Sequence, residues 1–433
     1  MPYAYLGVTL LGAMAVLLAY HPIRKEPLTV LDFVCGWICA EVSLQNIAWQ
    51  AVATVIFGLF GAFSGWAGWL GLAVAAGSWA GLVGLAVSGH RASRVVTAAL
   101  TEVQTRDFPV STGRTKPTWG RWWRVTQAIP LKGRSVQRTS NIDYWGDGIH
   151  RHRLDIYRSR VSQSAGAPVM VYVHGGAWII GEKREQGKPM MYELVARGWV
   201  CVAINYRLSP KSVWPAHIVD VKRSIAWVRD HIAEYGGDPN FIAISGGSAG
   251  GHLCALAALT PGDPAYQPGF ETADTRVDAA IPFYGVMDMT GSPAGSGRYG
   301  NGLLEMLEKT VMKTTIAEHP EIFEQASPTL RVNADAPPFF VLQGANDTLV
   351  PVDVARTFVE KLRSVSKAPV AYAELPLAQH AFDVLASLRC QATTAGVASF
   401  LEAARTAASA ASATTAVPAA SDGAATPSEE RVS

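Results

Sequence analysis

The chain predicts an α/β domain, a mostly parallel sheet covered by helices, carried behind an N-terminal region of membrane-spanning helices. Three observations lead there. After about Asn141, short β-rich runs alternate with helical stretches. The first 89 residues contain only five charged side chains, Arg24, Lys25, Glu26, Asp32 and Glu41. From Val42 to Gly89 there is no charged side chain at all.

At 433 residues the chain is about three typical ~150-residue domains long, which leaves room for one large α/β domain and an additional region. Charged residues make up 17% and hydrophobic ones 49%, with a mean hydropathy of +0.15. An intrinsically disordered chain is thereby excluded. The net charge of +2 gives no global basic field of the kind that draws a protein onto nucleic acid.

The anchor comes first. Tyr3–Tyr20 is uncharged and apolar, and the long run from Val42 to Gly89 is about twice the ~20 residues that cross a bilayer. A split at Gly61 to Trp66 gives spans near residues 47–63 and 66–88, with Trp49, Trp66 and Trp69 close to the interfaces. The first run lacks a positive n-region and a small-residue cleavage site, so it does not read as a secretory signal. Leu28–Gln45 is apolar but carries Asp32 and Glu41, and charges at mid-membrane depth cost at least ~2.5 kcal/mol each. That favours an interfacial or partly buried helix. Three spans are expected, with two or four left open.

Residues 90–140 form a basic linker, with ten Lys and Arg against Glu102 and Asp107. Such a flank resists export, so the expected topology is a multi-pass membrane protein with its α/β domain in the cytoplasm. Trp119, Trp122 and Trp123, interleaved with Arg121 and Arg124, suit a lipid headgroup layer; packing on the next domain explains them equally well. The five cysteines give neither a paired framework nor a metal-binding spacing, so no metal and no structural disulfide are expected.

In the α/β domain, 141–405, the strand-like runs are Pro168–His174, Val200–Tyr206, Phe241–Ser245, Ala279–Tyr284, Pro338–Gln343 and Val370–Leu375. Ile218, Val221, Ile225, Val228 and Ile232 recur at helical spacing, a stripe that packs on a sheet. Residues 286–336, with a helical run at Leu303–Met312, are longer than a usual connection and are expected to form part of a lid. From Thr406 to Ser433 the Ala, Ser and Thr residues cannot bury a core, so a disordered tail is expected.

The chemistry starts at Ser245-Gly-Gly-Ser248-Ala-Gly-Gly-His252, where Ser248 falls between a strand-like run and a helical one. That is the strand-to-helix turn that a nucleophile elbow requires. Gly246 and Gly250 allow the turn to be tight. A serine hydroxyl needs a base and a group that orients the base. His380 follows the last predicted strand, and Asp347 follows the run Pro338–Gln343, so Ser248, Asp347 and His380 occur in the fold's chain order. Asp353 and Asp383 compete for the acid role, and His252 is nearer Ser248 in sequence but reads as a packing residue. The oxyanion that develops in acyl transfer needs fixed N–H donors. Gly175 and Gly176, in His174-Gly-Gly-Ala177-Trp178, and the amide of Ala249 are the candidates.

These residues resemble the hormone-sensitive-lipase-like branch of the α/β-hydrolase esterases across roughly Ile142–Ala403. The resemblance rests on HGGAW at His174, YRL at Tyr206, Asp238-Pro239, GGSAGG, the Asp347 turn and the His380 loop. With spans in front, the chain is most similar to membrane-anchored carboxylesterases of the Lip type, and less so to feruloyl-esterase-type domains. The resemblance implies hydrolysis of short- to medium-chain esters through an acyl-enzyme, without cofactor. Small ester or lipid substrates and membrane lipids are the expected partners, and nucleic acid is not. Ala177 stands at the family's third glycine, and its methyl group is expected to narrow the acyl pocket. An arylformamidase-like amidase, an acyltransferase and a non-catalytic membrane receptor or scaffold remain as alternatives.

Overall fold

In the computed structural model, residues 1–24, 28–111, 128, 135–161, 165–291 and 301–415 are described. The tryptophan-rich part of the basic linker and the end of the tail, 416–433, lie outside them.

Among the described residues, four helices precede the sheet: α1 (Pro2–Tyr20), α2 (Thr29–Glu41), α3 (Ser43–Leu59) and α4 (Trp66–Glu102). Helices α1 and α4 are each long and apolar enough to cross a membrane. A third candidate is the pair α2 and α3, but it is bent by 92° at Val42. Small residues let α1 and α4 approach closely: a Cβ on Gly71 would press on Tyr5, and one on Gly81 would press on Val16. The Tyr20 hydroxyl donates to Gly81 O at 2.8 Å.

Helix α4 does not stop where its apolar run ends. It continues to Glu102, and Ala92, Val96, Ala99 and Leu100 are buried in one cluster with Phe400 and Leu401. The alternation of small apolar residues with Arg91 and Arg94 makes that last part amphipathic, so one stripe covers the catalytic domain.

The eight strands run in the order β1-β2-β4-β3-β5-β6-β7-β8. They are β1 (Val136–Asp143), β2 (Arg153–Ser159), β3 (Ala167–Val173), β4 (Val200–Ile204), β5 (Gly237–Gly247), β6 (Ala279–Phe283), β7 (Phe339–Gly344) and β8 (Val370–Leu375). All pairs from β4 to β8 are parallel, while β1 with β2 and β2 with β4 are antiparallel. The six core strands begin and end within a few residues of their predicted runs, because β3 to β7 are buried on both faces and read as continuous apolar segments. Strands β1 and β2 were not legible: β1 is an edge strand, VQRTSNID, with polar side chains facing solvent.

Helices cover both faces. Those after the sheet begins are α5 (Lys188–Ala196), α6 (Ala216–His231), α7 (Ala249–Leu259), α8 (Asn301–Met306), α9 (Pro320–Gln325), α10 (Val352–Val365) and α11 (Leu388–Thr415). Ile218, Val221, Ile225 and Val228 of α6 are fully buried on one face, as the stripe requires, together with Ile232 just beyond it. Helix α11 runs ten residues past Arg405, to Thr415. A segment too poor in bulk to build a core can still be helical, since Ala is the strongest helix former.

Candidate active site

The parallel strands place the ends of β3, β5, β6, β7 and β8 along one edge of the sheet. Val173 pairs with Gly246, Gly247 with Phe283, and Gly344 with Leu375. The loops that leave these ends therefore converge, which is where open α/β sheets hold their ligands.

Ser248 occupies the turn from β5 into α7 with φ 57° and ψ −123°, a conformation that L-residues rarely adopt. Two groups hold it there: Ser248 N–H donates to Phe283 O at 3.0 Å, and Ser248 O accepts from His252 N–H at 2.9 Å. The turn closes only because Gly246 and Gly250 lack side chains. A Cβ on Gly246 would lie 2.5 Å from Val173 O, and one on Gly250 would strike the carbonyls of Val173 and His174. The strained elbow thus follows from packing between β5, α7 and the end of β3.

Asp347 lies three residues past β7 and His380 five past β8, and the structure brings them together: His380 Nδ1 is 2.7 Å from Asp347 Oδ2. Both side chains are buried. Asp347 Oδ2 also accepts from Gln343 Nε2 at 3.0 Å, and Oδ1 accepts from the amides of Leu349 and Val350 at 2.9 and 2.8 Å. These donors fix the carboxylate in one orientation. Gln379 steadies the imidazole loop, its Oε1 accepting from the amides of Thr348 and His380.

The competing carboxylates have other partners. Asp353 pairs with exposed Arg356 at 3.0 Å, and Asp383 accepts from the Tyr284 hydroxyl. Burial pushes the Asp383 carboxyl up to about 6. Tyr284 nonetheless belongs to the neighbourhood: its ring is 4.4 Å from that of His380, and a Cβ on Gly247 would lie 2.7 Å from its hydroxyl. It sits between the base and the elbow. Among the described residues no hydrogen bond joins Ser248 Oγ to His380, a contact that commonly tightens only when substrate is bound. His252 is a packing residue, bonded through Nε2 to Ala326 O at 2.7 Å.

The loop after β3 lies directly against the elbow. A Cβ on Gly175 would sit 2.6 Å from Gly247 O and 3.2 Å from Ser248 Cβ. The Gly175 amide, however, donates to Gln186 Oε1 at 2.8 Å, so Gly175 supplies close approach rather than a donor. Gly176 has φ 118°, and Ala177 and Trp178 are also left-handed, at 52° and 61°. The Ala249 amide starts α7, where a helix leaves its first N–H groups unsatisfied. His174 is an internal strut: Nδ1 bonds Gly175 O at 2.7 Å, the ring stacks 4.4 Å from Tyr206, and burial pushes its pKa down to about 4. Tyr206 in turn donates to His174 O at 3.0 Å. Gln186, Gln343, Gln379 and Tyr284 were invisible to sequence reasoning, because each acts through a contact that only the fold creates.

Residues 154–362 match the BD-FAE family. Over 92% of its length the chain is 44% identical to the probable carboxylic ester hydrolase LipM of Mycobacterium tuberculosis, covering 92% of that protein. The chain belongs to the Lip-type carboxylic ester hydrolases. It is also 50% identical to the esterase LipQ of the same organism, over 62% of this chain and 63% of that one. Among solved structures, a truncated carbohydrate esterase from gut microbiota superposes with a TM-score of 0.52 at 25% identity, over 62% of this chain and 96% of that one. This Lip-type protein is thus a carboxylic ester hydrolase on the α/β-hydrolase fold.

Proposed function

We propose that the protein is a membrane-anchored serine carboxylesterase in which Ser248 is the nucleophile, His380 the general base and Asp347 the group that orients it. The observation that carries this reading is the 2.7 Å contact of His380 Nδ1 with a carboxylate already held by three other donors. It puts the proton on Nδ1 and leaves Nε2 as the acceptor for a serine proton.

Ser248 Oγ attacks the ester carbonyl while His380 Nε2 takes its proton. The alkoxide developing on the carbonyl oxygen is met by the amides of Gly176 and Ala249. His380 then gives the proton to the leaving alcohol, and water releases the acid by the same steps in reverse order. Helices α1 and α4, with the bent pair between them, are read as the anchor, and the basic segment after α4 as a cytoplasmic flank.

The test is hydrolysis of p-nitrophenyl butyrate together with covalent labelling by a fluorophosphonate. Ser248→Ala is expected to lose the label and to lower kcat by on the order of 10⁶. A variant that kept the parental rate would overturn the reading. An active reporter fused after Ser433 on the outer face only would overturn the topology.

A further inference from the structure

The anchor does more than precede the catalytic domain: it grips the two loops that carry Asp347 and His380. Asn346 Nδ2 donates to Ala19 O at 2.9 Å, capping a carbonyl in the last turn of α1. Arg24 reaches Ala345 O at 3.2 Å. On the other loop, Ser88 Oγ of α4 donates to Pro376 O at 3.0 Å.

These contacts fix a depth. Helix α1 has 19 residues, so at ~1.5 Å per residue it is roughly 29 Å long, the thickness of a hydrocarbon core. Its last turn is therefore one face of that core. Ser88 closes the uncharged part of α4, whose first charge after it is Arg91, and marks the same boundary independently. The acid loop sits at the first mark and the base loop at the second. The catalytic pair thus lies where the hydrocarbon meets the headgroups, the level at which ester groups of membrane lipids reside.

Helix α2 lies between this pair and the lipid. The 92° bend from α3 turns it along the boundary rather than across it. Its inner face touches the base: the Phe33 ring stands edge-on to His380 at 6.1 Å, and Trp37 Nε1 donates to Ala381 O at 2.9 Å. Its outer face exposes Val30, Leu31, Val34 and Ile38. Helix α2 is only about 10–12 Å across, so an acyl chain on the outer face is within reach of the imidazole on the inner one.

We propose that the natural substrate is a bilayer-resident ester that enters laterally over α2, its acyl chain lying along Val30, Leu31, Val34 and Ile38 while its carbonyl reaches Ser248. This rests on the triad and the spans described under the proposed function. The family resemblance implies short- to medium-chain esters; the depth of the site points instead to a long chain that never leaves the membrane.

The experiment uses the full chain in phosphatidylcholine vesicles, with p-nitrophenyl acetate and p-nitrophenyl oleate as probes that share a leaving group. Rates are taken per site labelled by a fluorophosphonate, so misfolded protein does not count. Leu31→Gln and Val34→Gln are expected to lower kcat/KM for the oleate ester about tenfold relative to the acetate ester. Labelled wild-type protein that cleaves acetate but not oleate, or variants that lose both in parallel or neither, overturn the inference alone. Absence of labelling at Ser248 overturns the triad and the inference together.

Discussion

Glu41, the last residue of α2, and Arg389, near the start of α11, form an ion pair in which neither side chain is exposed. Ser387 Oγ donates to the same carboxylate at 2.6 Å, and Arg389 also donates to Pro376 O at 3.3 Å. One buried pair therefore ties α2 to both ends of the loop that carries His380. Removing one partner of such a pair strands a buried charge. Glu41→Ala is expected to destabilise the protein by about 3–5 kcal/mol, read as a lower thermal midpoint in detergent. Replacing both residues by Leu should recover most of that loss, since an apolar pair of similar volume is close to neutral.

The two buried acids near His380 are separable. Asp347→Asn leaves the geometry but removes the carboxylate that selects the imidazole tautomer, and should lower kcat by about 10⁴. Asp383→Asn keeps an acceptor for Tyr284 and should cost far less. Ester hydrolysis by the two variants decides which acid serves the base.

Gly175→Ala tests the loop after β3. The added methyl would meet Gly247 O, which is backbone and cannot move without moving the elbow. The loop must retreat, taking the Gly176 amide with it. Loss of one oxyanion donor costs about 10² to 10³ in kcat, so a fall of that order in a folded variant is expected. Unchanged kcat would show that Gly176 is no donor.

Acid should destabilise the catalytic domain. Burial pushes His174 and His217 down to about 4 and His252 to about 3, from 6.5 in the unfolded chain. Between those values the unfolded state binds more protons than the folded one. The stability they contribute is thus complete above pH 6.5 and lost as pH falls through the window, on the order of 3 to 5 kcal/mol for each histidine. Asp383, raised to about 6, works in the opposite sense, as do His152 and Asp278, but the three lowered histidines carry the larger shifts. A thermal midpoint that stayed level from about pH 7 to about pH 5 would contradict this balance.

The sequence by itself determined the core strands, the glycine-lined elbow at Ser248 and the order of Ser248, Asp347 and His380. Apolar runs, glycines with no room for a Cβ and residues that follow strand ends are local properties, and local properties survive in a linear string. The charge-poor front marked the helices α1 and α4 for the same reason. Only the tertiary structure decided that Asp347 rather than Asp383 meets His380, and that Gln186 occupies the Gly175 amide. It also turned a charged residue in an apolar run, a feature the sequence could flag but not interpret, into a specific contact: Glu41 finds Arg389 from 348 positions away. Such choices depend on which loops converge at the sheet edge and which buried charge lies within reach of a partner. No spacing along the chain encodes that distance.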